Sequence, residues 1–285
     1  MRPRLVVALL ALAAAPLAAQ SDSVPAHVIF LDVGQADAVL IRSPEGKTAL
    51  IDAGRGSIIR RLEAHDVDTI DIAIASHAHA DHIGGMAEVI RRFTVRYYMD
   101  NGLPHTTRTY GDLMWTLERS DVTYLQATER TIQLGSVTLR VLPPPHLAAA
   151  GDPHLDGRGR PTGQNDQSVG ILMEYCEFRA LLTGDSEVDE LHTFLERGVP
   201  TVTVLKAAHH GARNGVTPAW LAATRPRVVV ISVGRNSYGH PDPWAIRYYE
   251  AQGRQVYRTD LHGDVTIAGR SDGSYEVITT RGGYP

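Results

Sequence analysis

The stretch Ala75-Ser76-His77-Ala78-His79-Ala80-Asp81-His82-Ile83-Gly84-Gly85 places four possible metal ligands within six residues. Imidazole nitrogens and carboxylate oxygens are ligands that zinc and similar divalent ions accept. The spacing His-x-His-x-Asp-His lets alternate side chains point in different directions, so that one pair can hold one metal and the other pair a second. Two metals about 3.5–4 Å apart are a common device for hydrolysing esters and phosphodiesters.

The segments on either side of this motif predict how it is presented. The apolar run at 70–75 predicts a buried strand, and Gly84-Gly85 with the helical pattern that follows predicts a turn into a helix. A surface turn that is merely rich in histidine is the alternative. The order of the ligands, the strand before them and the glycines after them favour a metal site.

Two later segments end in the same kinds of side chain. The predicted strand at 178–182 is followed by Asp185, where a carboxylate at a strand end could bridge two metals. The predicted strand at 202–207 leads to His209 and His210, which supply a further ligand. Adjacent side chains on an extended strand point to opposite faces, so the sequence leaves open which of the two histidines binds.

Further polar residues follow other predicted strands. Asp52 is interpreted either as the partner that fixes the tautomer of a metal-bound histidine or as a turn-forming residue. His240 lies in a loop rich in turn residues and could hold a phosphate oxygen or donate a proton to the leaving group. Arg213 and Asn236 are candidates to contact an anionic substrate.

The composition limits the classes of function. The 285 residues carry a net charge of −4, which argues against broad electrostatic binding to nucleic acid but permits a local basic groove. No continuous tract of aromatic and basic residues, of the kind that binds single strands, is evident. The single cysteine, Cys176, excludes an intramolecular disulfide and a cysteine-based zinc site, and we expect it on a strand.

The first 19 residues are typical of an export signal. Arg2 and Arg4 form a positive region, Leu5 to Leu17 form an apolar region, and Ala18-Ala19 supply small residues for cleavage. An uncleaved membrane anchor is the alternative. After cleavage we expect no membrane-spanning domain and a periplasmic or secreted protein.

Two clusters of predicted strands with interleaved helices suit two packed mixed sheets covered by helices. We therefore predict an α/β fold with one domain over residues 26–280. The stretch 143–166 is rich in proline, glycine and polar residues, and we interpret it as a flap beside the site. A helix is predicted over 186–197, with Ser186 as its N-cap.

Several separate motifs together resemble one family. The opening motif is the signature of the metallo-β-lactamase superfamily, and the whole set is similar to the C-terminal hydrolase domain of the competence protein ComEC and to phosphorylcholine esterases. The resemblance covers residues 27 to about 270. It is carried by the segments Phe30-Leu31-Asp32-Val33-Gly34-Gln35-Ala36-Asp37, Leu50-Ile51-Asp52-Ala53-Gly54, Asn165 with Ser168, Leu182-Thr183-Gly184-Asp185, Leu205-Lys206 with His209-His210-Gly211, and Tyr238-Gly239-His240-Pro241.

This resemblance implies an αββα sandwich, that is, two mixed β-sheets flanked by helices, with a dinuclear metal centre. By motif match, one metal would be held by His77, His79 and Asp185. The other would be held by Asp81, His82, Asp185 and either His209 or His210. The third histidine motif of true β-lactamases is missing, and the corresponding region carries Asn165 and Ser168, which we interpret as substrate-binding residues. Zinc is the expected metal and manganese the alternative.

The predicted function is that of a metal-dependent hydrolase, a phosphodiesterase or nuclease that acts outside the cytoplasm. Asp81, His209 and His240 are the candidate catalytic residues. The expected substrate is a small phosphodiester or extracellular DNA, with no obligate protein partner. Two alternatives remain open: a lactonase or β-lactamase using the same site, and a metal-bound binding module without turnover.

Overall fold

The computed structural model describes residues 24–148 and 163–282. The predicted export signal at 1–19 and most of the predicted flap lie outside the described residues. Within the described ranges, the chain forms strands β1 (Ala26–Phe30), β2 (Val39–Arg42), β3 (Thr48–Ile51), β4 (Thr69–Ile74), β5 (Thr94–Asp100), β6 (Thr123–Gln126), β7 (Arg130–Leu134), β8 (Val137–Leu142), β9 (Gly170–Tyr175), β10 (Phe178–Leu182), β11 (Val204–Lys206), β12 (Val228–Ile231), β13 (Gln255–Arg258), β14 (Val265–Gly269) and β15 (Tyr275–Thr279).

Helices connect these strands and cover the sheets. They are α1 (Ile59–Ala64), α2 (Ala80–Ile83), α3 (Met86–Arg92), α4 (Arg108–Glu118), α5 (Pro145–Ala148), α6 (Val188–Glu196), α7 (Pro218–Thr224), α8 (Pro243–Ala251) and α9 (Thr259–His262). Short 3₁₀ turns occupy Asn165–Gln167, Ala208–Gly211 and Arg213–Gly215. No helix among the described residues is long and apolar enough to cross a bilayer.

The strands form two mixed sheets. The first has the order β15-β14-β1-β2-β3-β4-β5-β6, in which the pairs from β3 to β6 are parallel and the others antiparallel. The second has the order β13-β12-β11-β10-β9-β8-β7, with β10 to β13 parallel and the other pairs antiparallel. The predicted α/β architecture of two mixed sheets flanked by helices is confirmed.

Alternation along the strands explains why the sheets pack face to face. In β1, Val28 and Phe30 lie in the core between the sheets, whereas Ile29 packs toward the helices on the outer face. In β9, Ile171 lies in the central core and Leu172 faces the helices on the other side. Since successive side chains of a strand point to opposite faces, strands that are apolar throughout are buried on both faces.

The helices bury apolar stripes against the outer faces. Met86 and Val89 of α3 pack on the first sheet, and Leu191 and Phe194 of α6 pack on the second. Fully burying one large apolar side chain stabilises the fold by about 1.5–3 kcal/mol. The result is a four-layer arrangement in which the ends of parallel strands from both sheets are left free to carry polar residues.

Two local predictions were wrong. Cys176 is exposed and lies in the turn between β9 and β10, with a φ of 51°. Helix α6 begins at Val188, and Ser186 is not its cap, because the Ser186 hydroxyl donates to the Thr183 carbonyl oxygen at 2.6 Å. In both cases the residue lies in a turn next to the strand or helix to which the sequence pattern assigned it.

Candidate metal centre

The predicted ligands follow the carboxyl ends of parallel strands. Strands β3 and β4 of the first sheet run parallel, and so do β10 and β11 of the second. Side chains that follow parallel strands meet at one edge of a sheet, and the two edges here face each other. The candidate residues at this edge are Asp52 after β3, His77 to His82 after β4, Asp185 after β10, and His209 and His210 after β11.

A close approach of two backbones fixes the turn after β4. The Ala53 amide donates to the His82 carbonyl oxygen at 2.6 Å, and the Gly85 amide donates to the Ala53 carbonyl oxygen at 3.2 Å. A β-carbon at Gly85 would collide with the carbonyl oxygens of Ala53 and Gly56. Glycine is therefore required here by space, and the two glycines seen in the sequence hold the motif against the loop that follows β3.

The first group of possible metal donors is His77, His82 and Asp185, all buried, with donor atoms that lie within 4.8 Å of one another. The His82 Nε2 atom lies 3.2 Å from the Asp185 Oδ2 atom. His79 is half-buried beside this group, with its Nδ1 atom 2.9 Å from the His77 Nε2 atom. His77, His79 and Asp185, which were expected to hold one metal, therefore lie close together, and His82 lies with them.

The second group is Asp81, His82 and His210. The His210 Nε2 atom lies 3.7 Å from Asp81 Oδ2 and 3.5 Å from Asp185 Oδ2. The Nδ1–H group of His210 donates a hydrogen bond to the Ser232 carbonyl oxygen at 3.0 Å. The Nε2 atom, on the side of the carboxylates, therefore carries the lone pair that can bind a metal. The two groups share His82, and Asp185 lies within reach of both.

The geometry favours His210 over His209 as a ligand. The His209 Nε2 atom is farther from Asp185 Oδ2, at 3.9 Å, and its Nδ1 atom lies 3.4 Å from Glu187 Oε1. His210 is almost fully buried, whereas the side chain of His209 is partly exposed. Both residues have left-handed backbones, with φ values of 49° and 53°. His209 therefore lies on the open side of the cluster.

Asp52 lies behind the cluster and holds His82 in place. Its Oδ2 atom lies 2.8 Å from His82 Nδ1, and it accepts hydrogen bonds from the amide and the hydroxyl of Ser76 at 2.7 and 2.8 Å. These bonds also secure Asp52 in a left-handed conformation, with φ of 61°. A proton held on His82 Nδ1 directs the other ring nitrogen toward Asp185, as a partner behind a metal ligand does.

Opposing charges dominate the electrostatics of the cluster. Burial lowers the pKa of His77 well below its ordinary value. Burial would also lower the pKa of His82, but the carboxylates of Asp185 and Asp52 raise it well above that value. Burial disfavours the ionised form of Asp185, yet the imidazoles of His210 and His82 hold its pKa well below the usual range. The carboxylate stays ionised and needs cationic partners.

The donor atoms fit a divalent metal. Three of them, His82 Nε2, His210 Nε2 and Asp185 Oδ1, are buried and have no hydrogen-bond partner among the described residues. Leaving buried polar atoms without partners costs about 1–3 kcal/mol each. Imidazole nitrogens and carboxylate oxygens gathered in this way are a typical donor set for divalent cations.

A buried ion pair next to the cluster was not predicted from the sequence. The Lys206 ammonium lies 2.6 Å from Asp37 Oδ2, and the Asp37 Oδ1 atom lies 3.4 Å from His210 Nδ1. Lys206 also donates to the Gly184 carbonyl oxygen at 2.9 Å. Both side chains are almost fully buried. Asp37 and Lys206 each belong to a segment that carries the family resemblance, but nothing in the sequence connects an acidic residue in the loop after β1 to a lysine 169 positions later.

A cavity of about 320 Å³ opens onto the cluster. Several of its lining residues were not expected from the sequence, because they come from loops without a recognisable motif. The lining comprises Gln35, Arg55, His79, Ala80, Asp81, His105, Thr107, Asn165, Asp185, His209, His210, Tyr238 and His240.

Asn165 and Ser168 have different surroundings in the structure. Asn165 lines the cavity, where its amide nitrogen lies 3.0 Å from Glu187 Oε1 and 3.4 Å from His209 Nε2. Ser168 is fully buried; its hydroxyl donates to the Asn165 carbonyl oxygen at 2.8 Å and accepts from the Asp185 amide at 3.3 Å. Ser168 thus supports Asp185 from behind, while Asn165 faces the space available to a substrate.

His240, Asn236 and Arg213, the other predicted site residues, also differ in their relation to the cavity. His240 lines the cavity, with its ring centre 5.1 Å from that of His209, and burial lowers its pKa. The Asn236 side chain is engaged in its own loop, donating to the carbonyl oxygens of Gly234 and His240 at 2.8 and 2.7 Å. The Arg213 guanidinium lies over the Trp244 ring at 4.3 Å and does not line the cavity.

Comparison with known proteins gives a consistent picture. The family model of the metallo-beta-lactamase superfamily matches residues 31–235. ComE operon protein 3 of Bacillus subtilis is 24% identical over 84% of this chain, and recombination protein 2 of Haemophilus influenzae is 26% identical over 83%. The chain spans only 32% and 28% of the lengths of these two relatives.

A solved structure shows the same fold. Igni18, a metallo hydrolase from Ignicoccus hospitalis, superposes with a TM-score of 0.56 at 18% identity, covering 86% of this chain and all of that one. The predicted resemblance to competence proteins of the ComEC type is confirmed.

Proposed function

The chain belongs to the metallo-β-lactamase superfamily, and we propose that it is a metal-dependent hydrolase of phosphodiesters. One observation carries the proposal: the two donor groups share His82 and open into a cavity whose walls are rich in N–H groups. Arg55, His105 and His240 lie around that opening. A cluster of metal ligands beneath a wall of hydrogen-bond donors suits an anionic phosphoryl group better than a neutral amide or lactone.

Two divalent ions would be held by this site, one by His77, His79 and Asp185 and the other by Asp81, His82, Asp185 and His210. Zinc is the proposed metal, with manganese as the alternative for a site that contains carboxylates. Metal ions bound here would supply Lewis-acid stabilisation of a phosphoryl group and would lower the pKa of water.

The side chains of the protein would then orient the attacking water and bind the phosphoryl group. Asp81, which lines the cavity, would accept a hydrogen bond from the attacking water. His240 also lines the cavity, where its ring N–H can donate a hydrogen bond to the phosphoryl group. Asn165 and His209 lie beside each other and can donate hydrogen bonds to non-bridging oxygens.

The relatives support a nucleic-acid substrate in preference to a small diester. Their names refer to recombination and to the ComE operon, and the match extends over more than four fifths of this chain. The predicted export signal at 1–19 supports action outside the cytoplasm, on extracellular DNA. We propose this location and substrate together with the chemistry.

A substrate panel tests the proposal. The purified protein would be assayed against bis(p-nitrophenyl) phosphate, linear single-stranded DNA, a homoserine lactone and nitrocefin. We expect hydrolysis of the two phosphodiesters, and we expect Asp81→Ala to reduce it at least about a hundredfold. Asp121→Ala, which removes an exposed acidic residue far from the cluster in sequence, serves as the matched control and should retain activity.

Cleavage of nitrocefin or the lactone without either phosphodiester would contradict the proposal. So would phosphodiester hydrolysis that survives Asp81→Ala, since the activity would then come from elsewhere. Bound metal with no turnover of any substrate would instead indicate a binding module.

A further inference from the structure

A second groove continues from the catalytic cavity. It has a volume of about 640 Å³ and shares three lining residues with the cavity, Gln35, Arg55 and Tyr238. Its other lining residues are Val33, Arg235, Asn236 and Ser237. A chain-like substrate whose reacting bond lies at the metal cluster would extend into this groove.

The two loops that carry Gln35 and Arg235, both of which line the groove, cross closely at Gly234. The Gly234 amide donates to Gln35 Oε1 at 3.3 Å. A β-carbon at Gly234 would lie 2.5 Å from the Gln35 amide nitrogen, so only glycine allows this approach. Loops in such close contact hold the groove in one shape before any ligand arrives, which lowers the entropic cost of binding.

Tyr238 presents an aromatic ring to solvent from a rigid loop. Its side chain is 64% exposed, while its amide donates to Asn236 Oδ1 at 3.0 Å. The Tyr238 ring stacks on the ring of His240, with centres 6.1 Å apart and planes inclined by 22°. An exposed aromatic ring on a braced backbone is a platform on which a nucleobase can stack.

Two arginines border this platform. Arg55 and Arg235 are exposed, come from different loops, and form no ion pair with any described residue. Unpaired guanidinium groups in a groove bind phosphates through charge-assisted hydrogen bonds. The combination of aromatic and basic residues, which is not continuous in the sequence, is therefore assembled by the fold from separate segments.

We infer that this groove binds the single-stranded nucleic acid that adjoins the reacting phosphodiester, with Arg55 and Arg235 on phosphates and Tyr238 on a base. The inference rests on the proposed phosphodiesterase function and names its substrate class. A single strand fits better than a duplex, because a base can stack on an aromatic side chain only when it is free of its own stack. The net charge of −4 provides no broad electrostatic attraction for nucleic acid, so binding depends on a local groove of this kind.

Binding is tested on the metal-loaded protein with a fluorescein-labelled oligothymidylate that has a cleavage-resistant phosphorothioate backbone. Fluorescence anisotropy would be followed as the salt concentration is raised. We expect Arg235→Gln to weaken binding about tenfold and to reduce the salt dependence by about 0.7 in log–log slope, the value for one phosphate contact on a single strand. We expect Tyr238→Ala to weaken binding about tenfold, whereas Tyr238→Phe, which keeps the ring, stays near wild type.

Arg247→Gln is the matched control, because Arg247 is an exposed arginine on α8 outside the groove. It should leave both affinity and salt slope unchanged. Circular dichroism and thermal unfolding would verify that every variant is folded. In kinetics, Arg235→Gln should lower kcat/KM for the oligonucleotide about tenfold relative to that for bis(p-nitrophenyl) phosphate.

Unchanged affinity in folded Arg235→Gln and Tyr238→Ala would overturn the inference, as would an equal loss in Arg247→Gln. Duplex DNA that binds as tightly as the single strand, with no effect of Tyr238→Ala, would also overturn it. Failure of the chemistry is distinguishable: a protein that cleaves no phosphodiester but still binds the oligonucleotide through these residues refutes the proposed function and not the groove.

Discussion

Single residues that bind no metal hold the candidate ligands in position. Asp52 fixes one ring nitrogen of His82, and Ser232 fixes one of His210 through its carbonyl oxygen. Lys206 neutralises Asp37, which lies beside His210. These supporting groups determine which nitrogen of each histidine is available to bind a metal. Substitutions behind the cluster should therefore lower metal affinity, although the substituted residues bind no metal themselves.

Asp52→Asn should lower metal affinity about 10–100-fold, because the neutral amide no longer favours a proton on His82 Nδ1. The measurement is a competition titration of zinc against a chromophoric chelator. Asp66→Asn is a suitable control, since Asp66 also has a left-handed backbone but is exposed and outside the cluster. Equal affinities for the wild type and Asp52→Asn would show that Asp52 acts only in the turn.

Lys206→Met should reduce the free energy of unfolding by about 3–5 kcal/mol, because it leaves the buried Asp37 carboxylate without its cation. Adding Asp37→Asn in the same chain should restore much of that loss. Urea unfolding of the single and double variants measures both effects. If the double variant is no more stable than Lys206→Met, the two side chains do not act as a pair.

Turns at strand ends carry most of the candidate site at the scale of secondary-structure elements. The loop after β3 and the turn after β4 are joined by backbone hydrogen bonds, and their spacing depends on Gly85. Helix α6 lies next to the second-sheet side of the site and buries Glu190, whose carboxylate accepts from the Ser168 amide at 3.1 Å.

Gly85→Ala should destabilise the protein by about 1–3 kcal/mol, since the added methyl group collides with two carbonyl oxygens. It should also weaken metal binding, because the turn that carries the ligands must shift. Gly111→Ala should have the opposite effect on stability. Gly111 is an exposed residue of α4 where a β-carbon meets nothing within 4 Å, so the substitution should stabilise by about 0.5–1 kcal/mol. Thermal and urea unfolding of both variants decide the matter, and destabilisation of equal size in both would refute the steric argument.

Glu190→Gln should become more stable relative to the wild type as pH rises. Burial raises the pKa of Glu190 well above its ordinary value of 4.5, so the folded state binds its proton more tightly than the unfolded chain. The protonated Glu190 carboxyl therefore makes its full contribution to the stability of the wild type below pH 4.5. That contribution is lost as pH rises toward the raised pKa. The difference in melting temperature, measured from about pH 5 to about pH 8, should widen in favour of Gln. A difference that is constant over this range would contradict the prediction.

The sequence predicted the molecule well where the information is local. Alternation in strands such as β1 was sufficient to predict the two-sheet fold. The spacing of His77, His79, Asp81 and His82 was sufficient to predict that these candidate ligands lie close together. The pairing of Asp37 with Lys206 was missed because it joins residues remote in the chain. The bracing role of Asn236 was missed because an amide that closes its own loop has the same sequence signature as one that faces a substrate.

The four-layer architecture as a whole explains why these remote groups meet. Parallel strands from both sheets end at one edge, where the β1–β2 loop and the β12–α8 loop cross closely at Gly234. The same edge carries the metal ligands, the cavity and the groove with Arg235. Chemistry and substrate binding are therefore expected to depend on one rigid arrangement of loops.

The proposed activity is metal-dependent phosphodiester hydrolysis at the His–Asp cluster. Its most direct test is to remove metal with a chelator and then to add zinc or manganese in steps while measuring hydrolysis of bis(p-nitrophenyl) phosphate. We expect no activity without metal, a rise to a plateau at about two equivalents per chain, and no rise for Asp185→Ala. Metal that binds without producing activity, or activity in Asp185→Ala equal to that of the wild type, would contradict it.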